Sequence, residues 1–422
     1  MKGMHVKRRW NARVLWRSLL GLGVAGALAA PAFAADPIKI GFSMEETGNL
    51  AANGKPALLA MEIWAEDINA KGGLLGRPVQ LIHYDDQSIP ANIPSIYTKL
   101  LDVDKVDIVM GSYATGLIAP ALPIVMQHNK LFPALLGLAV NSEFHYPKYF
   151  AMIPSGPNPK TAFTEGFFNI AMAQNPKPKT IAISSADIEF AHNAADGARQ
   201  TAKADGLKIV YDKTYPGNIT DCTPVVRAIQ AANPDIVLIA SYVTDSACMI
   251  RAVKEIGYKP KMIGGAMVGP QATALKLQLG TALNGFLVFD VWQPAKTMMF
   301  PGVAAVLEKY QARAKAAGTD PLGYYMVPIS YAYMQLVQQA VEGTKSLDQD
   351  KLAEYFRTQT FHTVFGDIKF GKDGEWAQSR MLMVQFQGLT GNDLGQFKDP
   401  AKTVILDPPA FKSGNVIYPF GG

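Results

Sequence analysis

The residues able to do chemistry are few and poorly grouped. The six histidines, His5, His83, His128, His145, His192 and His362, are spread over 422 residues. No two stand at a spacing that brings imidazoles to one metal ion or sets a base beside a nucleophile. No Gly-x-Ser-x-Gly elbow occurs. Gly21-Leu22-Gly23-Val24-Ala25-Gly26 spells the dinucleotide fingerprint, but it lies in an apolar run with no strand before it. Gly48 to Gly54-Lys55 approaches a phosphate loop, yet the glycines are one residue too far apart. Pro56 also stands where a magnesium-binding hydroxyl belongs. Asp85-Asp86 follows a predicted strand and reads better as a solvated turn or helix cap than as a cation site. No catalytic set, metal or cofactor follows from these residues, and the chain is expected not to be an enzyme.

What remains is loop chemistry. Gly111-Ser112-Tyr113-Ala114-Thr115-Gly116 follows a predicted strand and opens a predicted helix. Two glycines let a ligand approach the backbone, Ser112 and Thr115 supply hydroxyls, and a helix start supplies free N–H groups. That combination suits a carboxylate, although a plain N-cap uses the same residues.

The elements that must position this loop alternate along the chain. Strands are predicted at 38–43, 79–84, 106–110 and 132–135, with helices at 56–70, at 93–101 and from Thr115. The first helix carries Leu58, Met61, Ala65 and Ile68 at steps of three, four and three, one helical face, and Gly72-Gly73 ends it. A second set has strands at 180–184, 208–211, 236–240 and 261–263, and helices starting near Pro159, Phe190, Cys222, Thr244 and Gln271. Strands regularly separated by helices make parallel sheets with crossover helices, so the fold class is α/β with two lobes. A strand at 285–290, long helices at 302–317 and 324–343 and a short one at 350–357 follow. The end is expected to form an antiparallel hairpin of 366–370 and 381–387 around Gly371-Lys372-Asp373-Gly374. The Pro- and Gly-rich stretch 391–422 is read as a tail, packed over a lobe or partly loose.

The first residues carry an address. Lys2, Lys7, Arg8, Arg9, Arg13 and Arg17 precede an apolar run from Leu19 to Ala30 and then Ala32-Phe33-Ala34. That is the pattern of a signal peptide cleaved after Ala34, by the general secretion route. The formal net charge of +5 is therefore misleading: removing six basic residues leaves 34 Lys and Arg against 35 Asp and Glu. A neutral mature chain without blocks of like charge excludes nucleic acid. No long uncharged apolar run follows to anchor it in a membrane, and no Cys follows the cleavage site to carry lipid. The only cysteines, Cys222 and Cys248, read first as a disulfide in an oxidising compartment. Whether their Cα atoms come within bonding range is left open at this level.

The mature chain resembles the branched-chain amino acid (Leu/Ile/Val) binding proteins, type I periplasmic solute-binding proteins of ABC importers, over nearly its whole length. The resemblance rests on Ile38-Lys39-Ile40-Gly41 with Thr47-Gly48, on Asp67-Ile68-Asn69-Ala70-Lys71-Gly72-Gly73, on Tyr84-Asp85-Asp86 and on the Gly111–Gly116 loop. Asn233-Pro234-Asp235-Ile236-Val237, Gly257 and Phe370-Gly371-Lys372-Asp373-Gly374 continue it. It implies two lobes joined by three crossovers near 152–156, 286–292 and 363–367, with a signal at 1–34 and a tail at 391–422. The first lobe is expected at 35–154 plus 288–365 and the second at 155–287 plus 366–390. It also implies a periplasmic monomer that closes over a small molecule and docks on an inner-membrane ABC permease; a ligand-sensing partner of a membrane receptor would share the fold.

Carried over by position, Ser112 and Thr115 match the carboxylate loop, and Leu135, Leu136 and Gly137 the next loop. Phe190 and Tyr242 match aromatic positions of the second lobe, Ala266 and Met267 the place of a Glu that holds the α-ammonium, and Tyr325 and Met326 the side-chain pocket. The hydroxyl and the Glu that would accept an ammonium are thus apolar here, and a buried ammonium without acceptors is heavily penalised. This favours an amine-free apolar or aromatic acid over an amino acid, with Glu45-Glu46 as candidate replacement acceptors.

Overall fold

The computed structural model describes residues 36–421; the expected signal peptide lies outside them. Two α/β lobes are present. In the first, β1 (Ile38–Met44) lies between β2 (Val79–Asp85) and β3 (Ile108–Val109), all parallel. β4 (Gly111–Tyr113), β5 (Phe132–Leu136) and β6 (Tyr149–Ala151) form a second parallel set. Of the third strand expected at 106–110 only Ile108–Val109 forms, and residues 111–113, expected as the start of a loop, make β4. Met110 is the joint, its N–H donating to the Gly41 carbonyl at 2.9 Å. Helix Ala51–Asn69 starts before Pro56, which sits inside it, so the chain forgoes one amide bond there. It buries a continuous face from Ala57 to Ile68. Helices Val303–Ala314 and Val327–Thr344 return to pack on it, and Trp64 Nε1 donates to Gln338 Oε1 at 3.1 Å.

The second lobe is built on one seven-stranded sheet. β7 (Thr180–Ala186), β8 (Lys208–Tyr215), β9 (Ile236–Ser241), β10 (Met262–Met267) and β11 (Leu287–Asp290) run parallel. The expected hairpin does not form. β12 (Phe361–Thr363) instead pairs with β13 (Gly366–Ile368), while β14 (Leu382–Phe386) joins the large sheet antiparallel to β11. The reason is burial. Every residue of β14 is buried, so it needs cover on both faces, which a central sheet supplies and a surface hairpin does not. β15 (Thr403–Asp407) then adds to β14. The tail is therefore structural: it closes a sheet edge that would otherwise expose unpaired backbone, and Phe420 packs edge-on to Phe286 at 5.1 Å. Among the described residues no helix is long and apolar enough to cross a membrane.

Candidate ligand-binding cleft

The carboxyl ends of strands from both lobes converge on a narrow cavity with little free space, about 20 Å³. Tyr113, at the end of β4, and Leu136, at the end of β5, line it with Ala114, Thr115 and Leu138. From the second lobe come Phe163, Phe190, Tyr242 and Val268, while Ile153, Phe289 and Tyr325 complete the wall. Six of these twelve side chains are aromatic and in mutual contact. Phe163 lies 4.5 Å from Phe289 and 5.3 Å from Phe190, Phe190 lies 5.2 Å from Tyr242, and Tyr325 lies between Phe289 at 6.2 Å and Tyr113 at 6.4 Å. Such rings offer edges and faces to a flat apolar guest.

The polar groups are sparse and specific. Ala114 adopts φ +79°, a conformation an L-residue rarely takes and one that costs about 1–3 kcal/mol. The surrounding structure holds it, with its N–H donating to the Leu136 carbonyl at 3.0 Å. The turn delivers Thr115 to the first position of helix Thr115–Ile118. Thr115 Oγ1 accepts the Leu138 N–H at 3.0 Å, which leaves the hydroxyl hydrogen for a further acceptor. The Tyr113 hydroxyl accepts from Asn53 Nδ2 at 3.0 Å. Burial holds the Tyr113, Tyr242 and Tyr325 hydroxyls well above the usual tyrosine range, so all three remain protonated donors. No charged side chain among the described residues lines the cavity.

Five residues expected at the site line this cavity: Thr115, Leu136, Phe190, Tyr242 and Tyr325. The others do not, for local reasons. Ser112 and Leu135 alternate with Tyr113 and Leu136 along their strands and point to the opposite face, fully buried. Gly137 faces Ile118 and Val140. Ala266 and Met267 lie inside β10, which runs four residues past its expected end, so Val268 is the residue at the mouth. Met326 is buried beside the start of helix Val327–Thr344. Glu45 is fully buried behind the wall, accepting the Tyr113 N–H at 3.2 Å; burial and then the nearby Asp86 push its carboxyl well up. Glu46 turns outward to His83, 2.9 Å away. Leu138 follows from the two-residue alternation after Leu136, whereas nothing local marks Phe163 or Phe289.

Contacts bridge the lobes. Asn193 Nδ2 donates to the Leu138 carbonyl at 3.0 Å. The N–H and Oγ1 of Thr273 donate to Asp320 at 2.7 and 2.8 Å. The cleft is closed. Cys222 and Cys248 are disulfide-bonded with Cα atoms 5.6 Å apart, which ties the loop before helix Thr223–Ala231 to the helix that begins beside Tyr242.

The family description of periplasmic binding proteins matches residues 37–392. The chain belongs to that family. These are solute-binding proteins and not enzymes, and the two lobes are those of the type I periplasmic binding fold. Leu/Ile/Val-binding protein homolog 8 of Brucella suis is 25% identical over 389 residues, covering 88% of this chain and 94% of its own. Among solved structures, the branched-chain amino acid transporter substrate-binding protein of Streptococcus pneumoniae, in complex with isoleucine, superposes with a TM-score of 0.69. It is 20% identical, over 83% of this chain and 97% of its own. An ABC-transporter solute-binding protein of Rhodopseudomonas palustris, in complex with 3,4-dihydroxybenzoic acid, gives a TM-score of 0.68 at 20% identity, over 84% and 94%. The fold thus accommodates both an amino acid and an amine-free aromatic acid, and the cavity of this periplasmic binding protein must be read on its own residues.

Proposed function

We propose that this periplasmic binding protein captures an amine-free apolar or aromatic carboxylic acid and delivers it, as a monomer, to an ABC permease in the inner membrane. The observation that carries the ligand class is the lining: six aromatic rings, four hydroxyl groups and no carboxylate. An α-ammonium sealed there would lack a charged acceptor, at a cost of several kcal/mol. A carboxylate fits better, since Thr115 Oγ1, which accepts the Leu138 N–H, keeps its own hydrogen to donate, and the Tyr113, Tyr242 and Tyr325 hydroxyls are further donors in the same lining. Phe190 and Tyr242 cover the ring from the second lobe, and Tyr113 and Tyr325 offer hydroxyls to its far edge. Ser112, Leu135, Gly137, Ala266, Met267 and Met326 frame the site without touching the ligand, and no catalytic step is assigned to any of them. The 3,4-dihydroxybenzoate held by the Rhodopseudomonas palustris protein illustrates the chemical class.

The test is thermal unfolding of ligand-stripped mature protein against two panels, apolar amino acids and apolar or aromatic acids without the amine. Ligand at ~100 times its Kd adds about 2.7 kcal/mol of stability. The reading expects stabilisation by the amine-free panel; stabilisation only by amino acids refutes it and returns Glu45 to the ligand.

A further inference from the structure

Behind the cavity wall, in the first lobe, four oxygen atoms have no hydrogen-bond partner among the described residues: Ser43 Oγ, Glu45 Oε2, Asp86 Oδ2 and Ser112 Oγ. All four residues are completely buried. They converge because three neighbouring strands end there. Ser43 lies near the end of β1 with Glu45 just beyond it, Asp86 follows β2, and Ser112 is in β4. The Asp86 N–H donates to the Met44 carbonyl at 3.2 Å, which clamps it beside β1. Each carboxylate commits one oxygen to a backbone N–H and leaves the other idle. Glu45 Oε1 takes Tyr113 N–H at 3.2 Å, and Asp86 Oδ1 takes Ser88 N–H at 2.9 Å. The parallel register, which pairs Ser43 with Tyr84 and Met44 with Asp85, carries Glu45 to the side of Asp86, and Ser112 precedes the Tyr113 whose N–H Glu45 accepts.

Two carboxylates buried without a cation are costly, and buried polar atoms without partners call for a water or an ion. We infer that Ser43, Glu45, Asp86 and Ser112 hold a divalent cation of calcium's size. The donors are all oxygen, as a hard cation demands. Two idle carboxylate oxygens supply the two negative charges that such an ion neutralises. Four side-chain oxygens at irregular positions, completed by water, suit calcium, which accepts irregular shells of six to eight oxygens, better than magnesium, which demands a strict octahedron. The ion would steady the wall of the ligand cleft. Tyr113 hangs its N–H on Glu45 and its hydroxyl on Asn53 while its ring faces the cavity. This inference does not rest on the ligand proposed above.

The experiment uses mature protein stripped with a chelator and needs no organic ligand. Calorimetric titration with calcium is expected to show one site, and calcium is expected to raise the unfolding temperature where sodium and magnesium do not. Terbium in place of calcium is expected to show luminescence sensitised by Tyr113 and the nearby Tyr97, displaced by calcium. Glu45→Gln and Asp86→Asn are each expected to lower calcium affinity at least about tenfold, roughly 1.4 kcal/mol, whereas Glu46→Gln on the surface leaves it unchanged. The parent protein alone decides the matter if a variant fails to fold. Absence of calcium heat, thermal shift and sensitised terbium emission overturns the inference and leaves the two carboxyls sharing a proton. Calcium affinity that survives Glu45→Gln overturns it as well.

Discussion

Replacing Glu375 by Gln should stabilise the protein, and increasingly so as pH rises. Glu375 is buried in the turn after β13, and the only hydrogen bond of its carboxyl among the described residues is a long one, 3.5 Å from Ser155 Oγ in the first segment linking the lobes. Its Oε1 has no partner. Burial pushes its carboxyl from the ordinary 4.5 up to about 8. A carboxyl raised on folding binds its proton more tightly in the native state, so its contribution is intact below pH 4.5 and is lost as pH rises towards 8. Each pH unit in that window costs about 1.4 kcal/mol, so the native state carries a penalty of roughly 1 kcal/mol near pH ~5 and roughly 3 kcal/mol near pH ~7. Gln keeps the shape and never ionises. Denaturant unfolding of parent and variant near pH ~5 and pH ~8 should therefore give a gap that widens by several kcal/mol in favour of the variant. A gap independent of pH, or one that shrinks, would refute the reasoning by showing that the carboxylate finds solvent or a cation at the hinge.

Four further outcomes are expected. Thr115→Ala should weaken ligand binding by roughly 1–3 kcal/mol, the cost of an unpaired buried carboxylate oxygen; unchanged calorimetric affinity would remove Thr115 from the site. Tyr242→Ala should speed ligand release in stopped-flow fluorescence and weaken affinity, since its ring covers Phe190 at 5.2 Å; an unaltered off-rate would sink its role as a lid. Glu189→Gln should tighten binding at and above neutral pH and flatten the pH dependence of Kd. Burial and then Glu143 raise the Glu189 carboxyl in the closed form, so closure takes up protons and weakens as pH rises; a Kd profile identical to the parent's would contradict this. Replacing both Cys222 and Cys248 by Ser should cost about 3 kcal/mol in unfolding experiments, the chain entropy released from a loop spanning 26 residues; an unchanged midpoint would place the stabilisation elsewhere.

The parts of the site legible in the sequence are those set by local rules. Thr115 and Tyr242 stand at helix starts after strands, Leu136 ends a strand, and Phe190 opens a helix, so the alternation of elements alone carries them to the strand ends where cavities form. The parts that were not legible depend on where an element stops or on what it meets. Whether β10 ends at Ile263 or at Met267 decides whether Ala266 or Val268 lines the cavity, and the polar-apolar pattern of Met262–Met267 contains no stop. Phe163 reads as an ordinary core position of an amphipathic helix, and its contact with Phe289 exists only because a distant strand passes beneath it. The hairpin expected at 366–387 failed for the same reason. A turn sequence names a turn, but the partner of a strand is chosen by which sheet can bury it.

The closed cleft also bears on how binding is signalled. Ile153, which lines the cavity, lies between β6 of the first lobe and the second lobe's elements, and Phe289 lies in β11 just before the chain leaves the second sheet, so the cavity wall reaches the places where the chain passes between lobes. The bonds that bridge the lobes elsewhere, Asn193 to the Leu138 carbonyl and Thr273 to Asp320, replace bonds to water when the cleft shuts. Each contributes only about 1 kcal/mol net. Moving a two-state hinge from mostly open to mostly closed takes on the order of 5 kcal/mol of differential contact. Bridging bonds alone therefore fall short, and the difference has to come from the guest: the apolar area that six rings remove from water, at about 25 cal/mol per Å², together with the hydroxyl donors of the lining. On this accounting the Leu138 residue is a coupling point. Its N–H is bonded to Thr115 on the ligand side and its carbonyl to Asn193 on the opposite lobe. The cavity wall and the interlobe bond therefore meet at one residue, so a shift of the Thr115 turn is felt directly at the contact that holds the lobes together.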